Sequence, residues 1–245
     1  MNGPMNSLRL TAAAVFFAAA PALLMAAAPA TQNTAISGAG LSPWTARDIA
    51  GVTGKPFVAT RTIQTRAATS SAIQEVSAKI VRDSSGRVRL ETPIPLQPDG
   101  AIDPSRVSVQ IYDPATRTIL SWTTLQKTAT LMHLPPAPAT ADNSSLTRES
   151  ESLGSHAVNS LTAQGERVSL VIPAGVAGSK DAATVVTETW TASSLKVPML
   201  QTINDPRRGT TTVELSDVSE SEPEASLFQA PQGYTVQELN PIGSK

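Results

Sequence analysis

The chain has 245 residues, no cysteine, 4% aromatic residues and a net charge of −1 at pH 7. Without cysteine, disulfides, thiol chemistry and Cys-ligated metal are excluded. With near-neutral charge and no basic block, nothing in it attracts nucleic acid or an anionic membrane surface, and its core must be built from Val, Leu, Ile, Met and Ala.

Arg9 and the α-amine form a small positive region ahead of Thr11 to Ala28, an almost unbroken apolar run. Ala28-Pro29-Ala30 is an A-x-A cleavage site, so residues 1–30 read as a secretory signal peptide cut after Ala30. An uncleaved membrane anchor is the alternative, but the many alanines make the run weakly apolar. Cleavage removes Arg9 and no acid, leaving 215 residues with 18 basic and 20 acidic side chains, net −2. That part carries no further transmembrane segment, and the expected location is the periplasm or the cell exterior.

Residues 31–55 are rich in Ala, Gly, Thr and Ser and read as a flexible segment, with Trp44 and Ile49 seating its later half. A single β domain is expected over 56–236, with a tail at 237–245. Strands begin at Phe57, in the run Phe57 to Ile63. Ile73 to Arg82 turns at Asp83-Ser84-Ser85-Gly86 into Arg87 to Glu91. Pro93, Pro95 and Pro98 argue against a central strand there. Val107, Val109 and Ile111 share one face of the next strand. Asp113 to Thr116 reverses it into Thr118–Thr123, which carries Trp122, and a further strand is expected over Leu125–Leu131. The Pro- and Ser-rich stretch 134–150 reads as a long loop joining two halves of one sheet.

After the loop, strands are expected over Glu151–Leu161 and Ala163–Ile172, with Gln164-Gly165 as the turn, and over Val185–Thr191 with Trp190. Val197, Met199, Gln201 and Ile203 then form one side of a period-2 ladder. Asn204 to Gly209 reverses the chain into Thr210–Val218, with Val213 and Leu215 on one face. Ser221-Glu222-Pro223-Glu224 reads as a capped helix start. The short helix that follows ends near Phe228, pinned to the sheet by Leu227 and Phe228.

The motifs DPRRGTTTVELSDV and EPEASLFQAPQGYTV resemble the closing part of a secreted bacterial family of uncharacterised proteins. GKPFVATRTIQT, RDSSGRVRLE, VSVQIYDPATRTI and ESLGSHAVNSLTAQGERVSLVIPAG resemble it too, so the likeness covers about residues 54–236. That family is in turn similar, more distantly, to the outer-membrane lipoprotein carrier (LolA-like) superfamily. The resemblance implies an all-β fold: a single curved antiparallel sheet, a half-barrel, with few short helices. A closed β-sandwich is the alternative. No amphipathic lid helix is visible over residues 31–181; a lid would have to come from Trp44 to Val52 or from the long loops.

Catalytic chemistry finds little support. His133 and His156 are the only histidines, too few for a zinc site without converging acids. Ser193 to Lys196 matches S-x-x-K but sits in a turn without the partner motifs that serine chemistry needs. Glu149 with Glu151, and Glu220, Glu222 and Glu224, have no aromatic sugar platform beside them. Arg207-Arg208 fits a solvated turn better than an anion grip. Asn143-Ser144-Ser145 is a glycosylation sequon by pattern. No cofactor and no metal are expected.

The resemblance implies a non-catalytic binding protein for a lipid or an acylated protein. An envelope-signalling sensor or interaction domain of the same fold, with an envelope protein as partner, is the alternative. Trp122, Trp190, Val197, Met199 and Ile203 are the candidate lining of an apolar groove on the concave face.

Overall fold

A computed structural model describes residues 43–95, 102–135, 146–176 and 180–239. The signal-peptide reading and the Asn143 sequon lie outside them. The described chain folds as one curled, unclosed 12-stranded sheet with a single four-residue α-helix, α1 (Ala46–Ile49). The all-β half-barrel is therefore the observed architecture.

Six strands form the first run: β1 (Phe57–Ala67), β2 (Ile73–Arg82), β3 (Val88–Pro95), β4 (Ile102–Asp113), β5 (Thr118–Thr123) and β6 (Thr128–His133). The second comprises β7 (Thr147–Val158), β8 (Leu161–Ile172), β9 (Ala183–Ala192), β10 (Pro198–Asp205) and β11 (Gly209–Ser219), with β12 (Thr235–Leu239) closing the chain. Each run is an antiparallel meander, and β1 pairs with β11 to join them. The spatial order is β12-β6-β5-β4-β3-β2-β1-β11-β10-β9-β8-β7. Only β12 departs from the antiparallel pattern, lying parallel to β6.

Residues directly opposite in an antiparallel pair share a face, so the register sorts the core. Phe57, Ala59, Arg61 and Ile63 alternate on one face of β1. Ala59 stands opposite Ile80, Ile80 opposite Leu90, and Leu90 opposite Gln110. On the other side Arg61 meets Leu215, Ile63 meets Val213, and Val213 meets Gln201. The segment of residues 43–55, containing Trp44 and Ile49, lies over this face as a strap, making it the strap face, and is buried against Phe57, Ile80, Met199, Val213 and Leu215. The opposite face carries Val58, Val81, Ile111 and Leu120 in register. It is closed by the Ala225–Phe228 3-10 turn, whose Phe228 is buried against Val81, Val109, Ile111 and Trp122.

Several local expectations shift. β3 runs through Pro93 and Pro95, because β2 pairs with β3 only as far as Glu91. Beyond that point β3 is bonded on one side, and a missing proline N–H on the free side is tolerated as on any edge. The β7–β8 turn is Asn159-Ser160, both with positive φ (46° and 70°), as a two-residue hairpin of primed type requires. Gly165 lies inside β8 instead; a Cβ there would fall 2.7 Å from the Trp190 ring. β6 begins at Thr128, leaving Leu125 exposed in the preceding turn. The capping box at Ser221 does not form. Glu224 holds the N-cap position, and Glu222 instead accepts from the backbone N–H of Ser84 at 3.2 Å.

The β10–β11 turn matches its sequence closely. Buried Asp205 accepts the Arg207 backbone N–H and Nε at 2.9 Å each through one oxygen, and Arg207 Nη2 at 2.9 Å through the other. Arg207 is thus committed inside the turn. Gly209 has φ +113°, and a Cβ there would lie 2.0 Å from the carbonyl oxygen of Arg66.

Two predictions follow from this turn. Gly209→Ala should lower stability in urea unfolding by about 2–3 kcal/mol, since both the dihedral and the space forbid a side chain. Burial pushes the Asp205 carboxyl up, but the hydrogen bonds and charge of Arg207 outweigh it and hold the group below its ordinary value. A depressed folded-state value means stability that is present above about pH 4 and is lost as pH falls further. The stability gap between wild type and Asp205→Asn should therefore be full at neutral pH and shrink in acid; a gap independent of pH would contradict the ion pair.

Candidate functional site

The site is built where the strap crosses the sheet. Thr45 precedes α1, and its backbone N–H and Oγ1 both donate to Asp48 Oδ2, at 2.6 and 2.8 Å. This closes a single turn of helix that is too short to persist alone. Tertiary bonds hold it down. The Trp44 backbone N–H donates to Gln201 Oε1 at 3.2 Å, and Arg61 Nη2 donates to the Trp44 carbonyl at 2.6 Å. The Arg61 guanidinium also stacks 4.5 Å from the centre of the Trp44 ring.

Arg82 fixes the far end of the strap. Its side chain is fully buried, and Nε and Nη1 donate to the carbonyls of Lys55 and Ile49, at 2.9 Å each. Nη2 donates to the carbonyl of Leu195 in the β9–β10 turn. Burial lowers the Arg82 pKa to about 10, so the group remains charged at neutral pH. The backbone N–H groups of Gly51 and Gly54 donate to Gly86 and Ser84 in the β2–β3 turn.

Between α1 and the strap face lies a cleft of about 320 Å³. Its strap wall is Thr45, Ala46 and Arg47. Its floor is Arg61 from β1, Ile80 from β2, Leu90 from β3, Gln110 and Tyr112 from β4, and Ile119 from β5. Tyr112 stands opposite Ile119 in register, and Arg47 reaches over its ring at 5.9 Å. The lining is mainly apolar, with one buried cation and one amide set into it. Such a surface can take up a hydrocarbon chain and orient one polar group.

The five residues picked from the sequence fall in different places. Val197 and Met199 are fully buried in the cluster that holds Trp44 and Ile49. Ile203 is buried further along β10 with Leu170, Ile172 and Val185. Trp190 stands opposite Leu200, whereas Gln201 and Ile203 face Thr189 and Thr187, so Trp190 is on the other face of β9–β10. There it is half-buried, 5.4 Å from His156 ring to ring. Trp122 also lies on the face opposite the strap, packed edge-on to Tyr234 at 6.3 Å. None of the five lines the cleft.

The sequence did hold a signal for the cleft. In Phe57, Ala59, Arg61 and Ile63 the arginine occupies a core-facing position of the period-2 pattern. A charge at that parity has to meet a partner inside the fold. Gln110 and Tyr112 are harder to find, since the apolar alternation of β4 marks Val107, Val109 and Ile111 on the opposite face.

The other polar motifs have structural partners. His133 Nε2 lies 2.8 Å from Glu238 Oε1 across the β6–β12 edge. Lys196 has a positive φ of 53° beside buried Leu195 in the β9–β10 turn. Among the described residues, no group of three or more His, Asp or Glu side chains is arranged to hold a metal ion.

No family model and no curated protein matches the chain. Among solved structures it is similar to MucB, at 14% identity and a TM-score of 0.44, over 76% of this chain and 61% of that one. The chain thus spans about three fifths of the length of the MucB chain it matches. A LolA superfamily protein from Nitrosomonas europaea is similar at 10% identity and a TM-score of 0.34, over 76% and 98% of the two chains. The Mycobacterium tuberculosis lipoprotein LppX is similar at 12% identity and a TM-score of 0.31, over 73% and 91%.

Arg82→Met tests the clamp. It leaves three carbonyls without their charged donor, a loss expected to cost about 1–3 kcal/mol for each that stays buried and unpaired. The strap should loosen before the sheet unfolds, read as a red shift of Trp44 emission in a variant with Trp122 and Trp190 replaced by Phe. Coincident loss of strap and sheet signals would show that the strap is not a separable unit.

Proposed function

We propose that the protein is an exported, non-catalytic binding protein that holds the apolar chain of a lipid or acylated protein between α1 and the β1–β5 face. The observation that carries this reading is the cleft itself: the aliphatic floor residues Leu90 and Ile119 stay part-exposed to a cavity, over the buried Ile80, instead of being packed over. Its 320 Å³ lies at the low end of the roughly 300–1,000 Å³ found for small-molecule sites. That size suits one hydrocarbon chain while the strap is down; a ligand with several chains requires the strap to lift. The apolar leader at residues 1–30 supports export to the periplasm or the cell exterior.

An interaction domain in envelope signalling is the second reading, favoured by a different feature. β7 is an edge strand of 12 residues, exposed along nearly its whole length. Among the described residues no strand pairs with its outer side, and such an edge can accept a strand from a partner.

A cleft-filling substitution separates the two. Leu90→Trp should weaken saturable binding of a fluorescent acyl probe at least tenfold, while Ile73→Trp, at an exposed position on β2, should leave it within twofold. Circular dichroism confirms that both variants fold. No saturable probe binding to the wild type, or equal binding by Leu90→Trp, would overturn the cleft reading and leave the β7 edge as the site to pursue.

A further inference from the structure

Among the described residues, three buried side-chain nitrogens lack a hydrogen-bond partner: Arg61 Nε, Trp44 Nε1 and Arg106 Nε. Two of the three belong to the stacked Arg61–Trp44 pair. Unsatisfied buried donors are uncommon enough that each calls for a physical reason. Arg61 is 9% exposed, lines the cleft, and has no carboxylate within ion-pair distance among the described residues. Its guanidinium offers five N–H donors, and one of them is engaged, by the Trp44 carbonyl.

Asp48 is the acid that acts on Arg61 through space, but its Oδ2 is already held by Thr45. Burial lowers the Arg61 pKa to about 10, with Asp48 opposing the shift, so Arg61 is a cation at neutral pH. Arg47 adds a second positive charge at the strap wall. A buried, incompletely paired guanidinium beside an aliphatic cavity is costly unless an anion completes it.

We infer that Arg61 is an anion receptor at the floor of the cleft, and that the ligand is a single-chain amphiphile bearing one carboxylate, a fatty acid in chemical class. The inference deepens the reading of the cleft as an acyl-chain site and rests on it. The carboxylate would meet the guanidinium where Arg61 lines the cleft, and the chain would lie along Leu90 and Ile119. A planar carboxylate matches the fork geometry of guanidinium, and a cleft of this size has little room for a larger head group together with its chain.

The test compares dodecanoate with dodecanol by calorimetric titration below their aggregation limits, at about pH 8, where the carboxylate is ionised. The wild type should bind dodecanoate at least tenfold more tightly. Arg61→Gln should bring that ratio close to one, and Arg61→Lys should give an intermediate ratio, since it keeps the charge but loses the fork. Equal binding of acid and alcohol by the wild type overturns the anion receptor and leaves the acyl cleft standing. A ratio undiminished in Arg61→Gln also overturns it, assigning the preference to another cation such as Arg47. Saturable binding of neither probe removes the cleft reading and this inference together.

Discussion

The structure depends on one buried guanidinium. Arg82 lies inside the sheet-and-strap interface and donates to the carbonyls of Ile49, Lys55 and Leu195. Those three residues come from the end of α1, from the far end of the strap and from a turn more than a hundred positions later in the chain. Without that shared donor, the short helix α1 has too few internal hydrogen bonds to stay folded, and the Ile49 carbonyl loses its anchor while Trp44 keeps only Gln201 and Arg61. With it, the strap is held a set height above the floor of β2 to β5. The cleft is the space left under the strap.

The same chemistry repeats on both faces of the sheet. The chain is poor in aromatic residues, and four of its buried rings each carry an arginine. Arg61 lies over Trp44, Arg82 over Phe57, Arg87 over Phe228 and Arg89 over Trp122, at 4.5–5.2 Å from the ring centres. Desolvated cation–π contacts can reach about 2 kcal/mol each. Three of the cations also donate to backbone carbonyls of the covering segments: Arg61 and Arg82 on the strap, and Arg89 on Leu227 of the 3-10 turn at 2.7 Å. A sheet with few large apolar side chains is thereby covered on two sides by short segments that could not bury enough surface to stay down alone.

The two covers differ in how completely they seal. Phe228 sinks among Val81, Val109, Ile111 and Trp122 and fills the opposite face. On the strap face, Trp44 and Ile49 fill the part over Met199, Val213 and Leu215. At the cleft the strap presents Thr45, Ala46 and Arg47, side chains too small or too polar to occupy the curve of the sheet. The cavity therefore sits over the first meander, although the most regular apolar ladder in the chain belongs to the second.

That contrast marks the boundary between what local pattern determined and what tertiary structure decided. Alternation and turn chemistry act within a few residues, so the sequence by itself determined the strands, the Asp205–Gly209 turn, the burial of Val197, Met199, Gln201 and Ile203, and the docking of Phe228. Periodicity also says that alternate residues share a face, but it does not say which faces of different strands coincide. That depends on register and on the β1–β11 pairing, which placed Trp122 and Trp190 on the side away from Ile203. Nor does periodicity say whether a face will be filled or left open, because the answer lies in the volume of a covering segment that is distant in sequence. Arg61 shows both limits: its core-facing parity is visible in the run from Phe57 to Ile63, while its partial pairing and its place on a cavity floor arise only when Trp44 is folded over it.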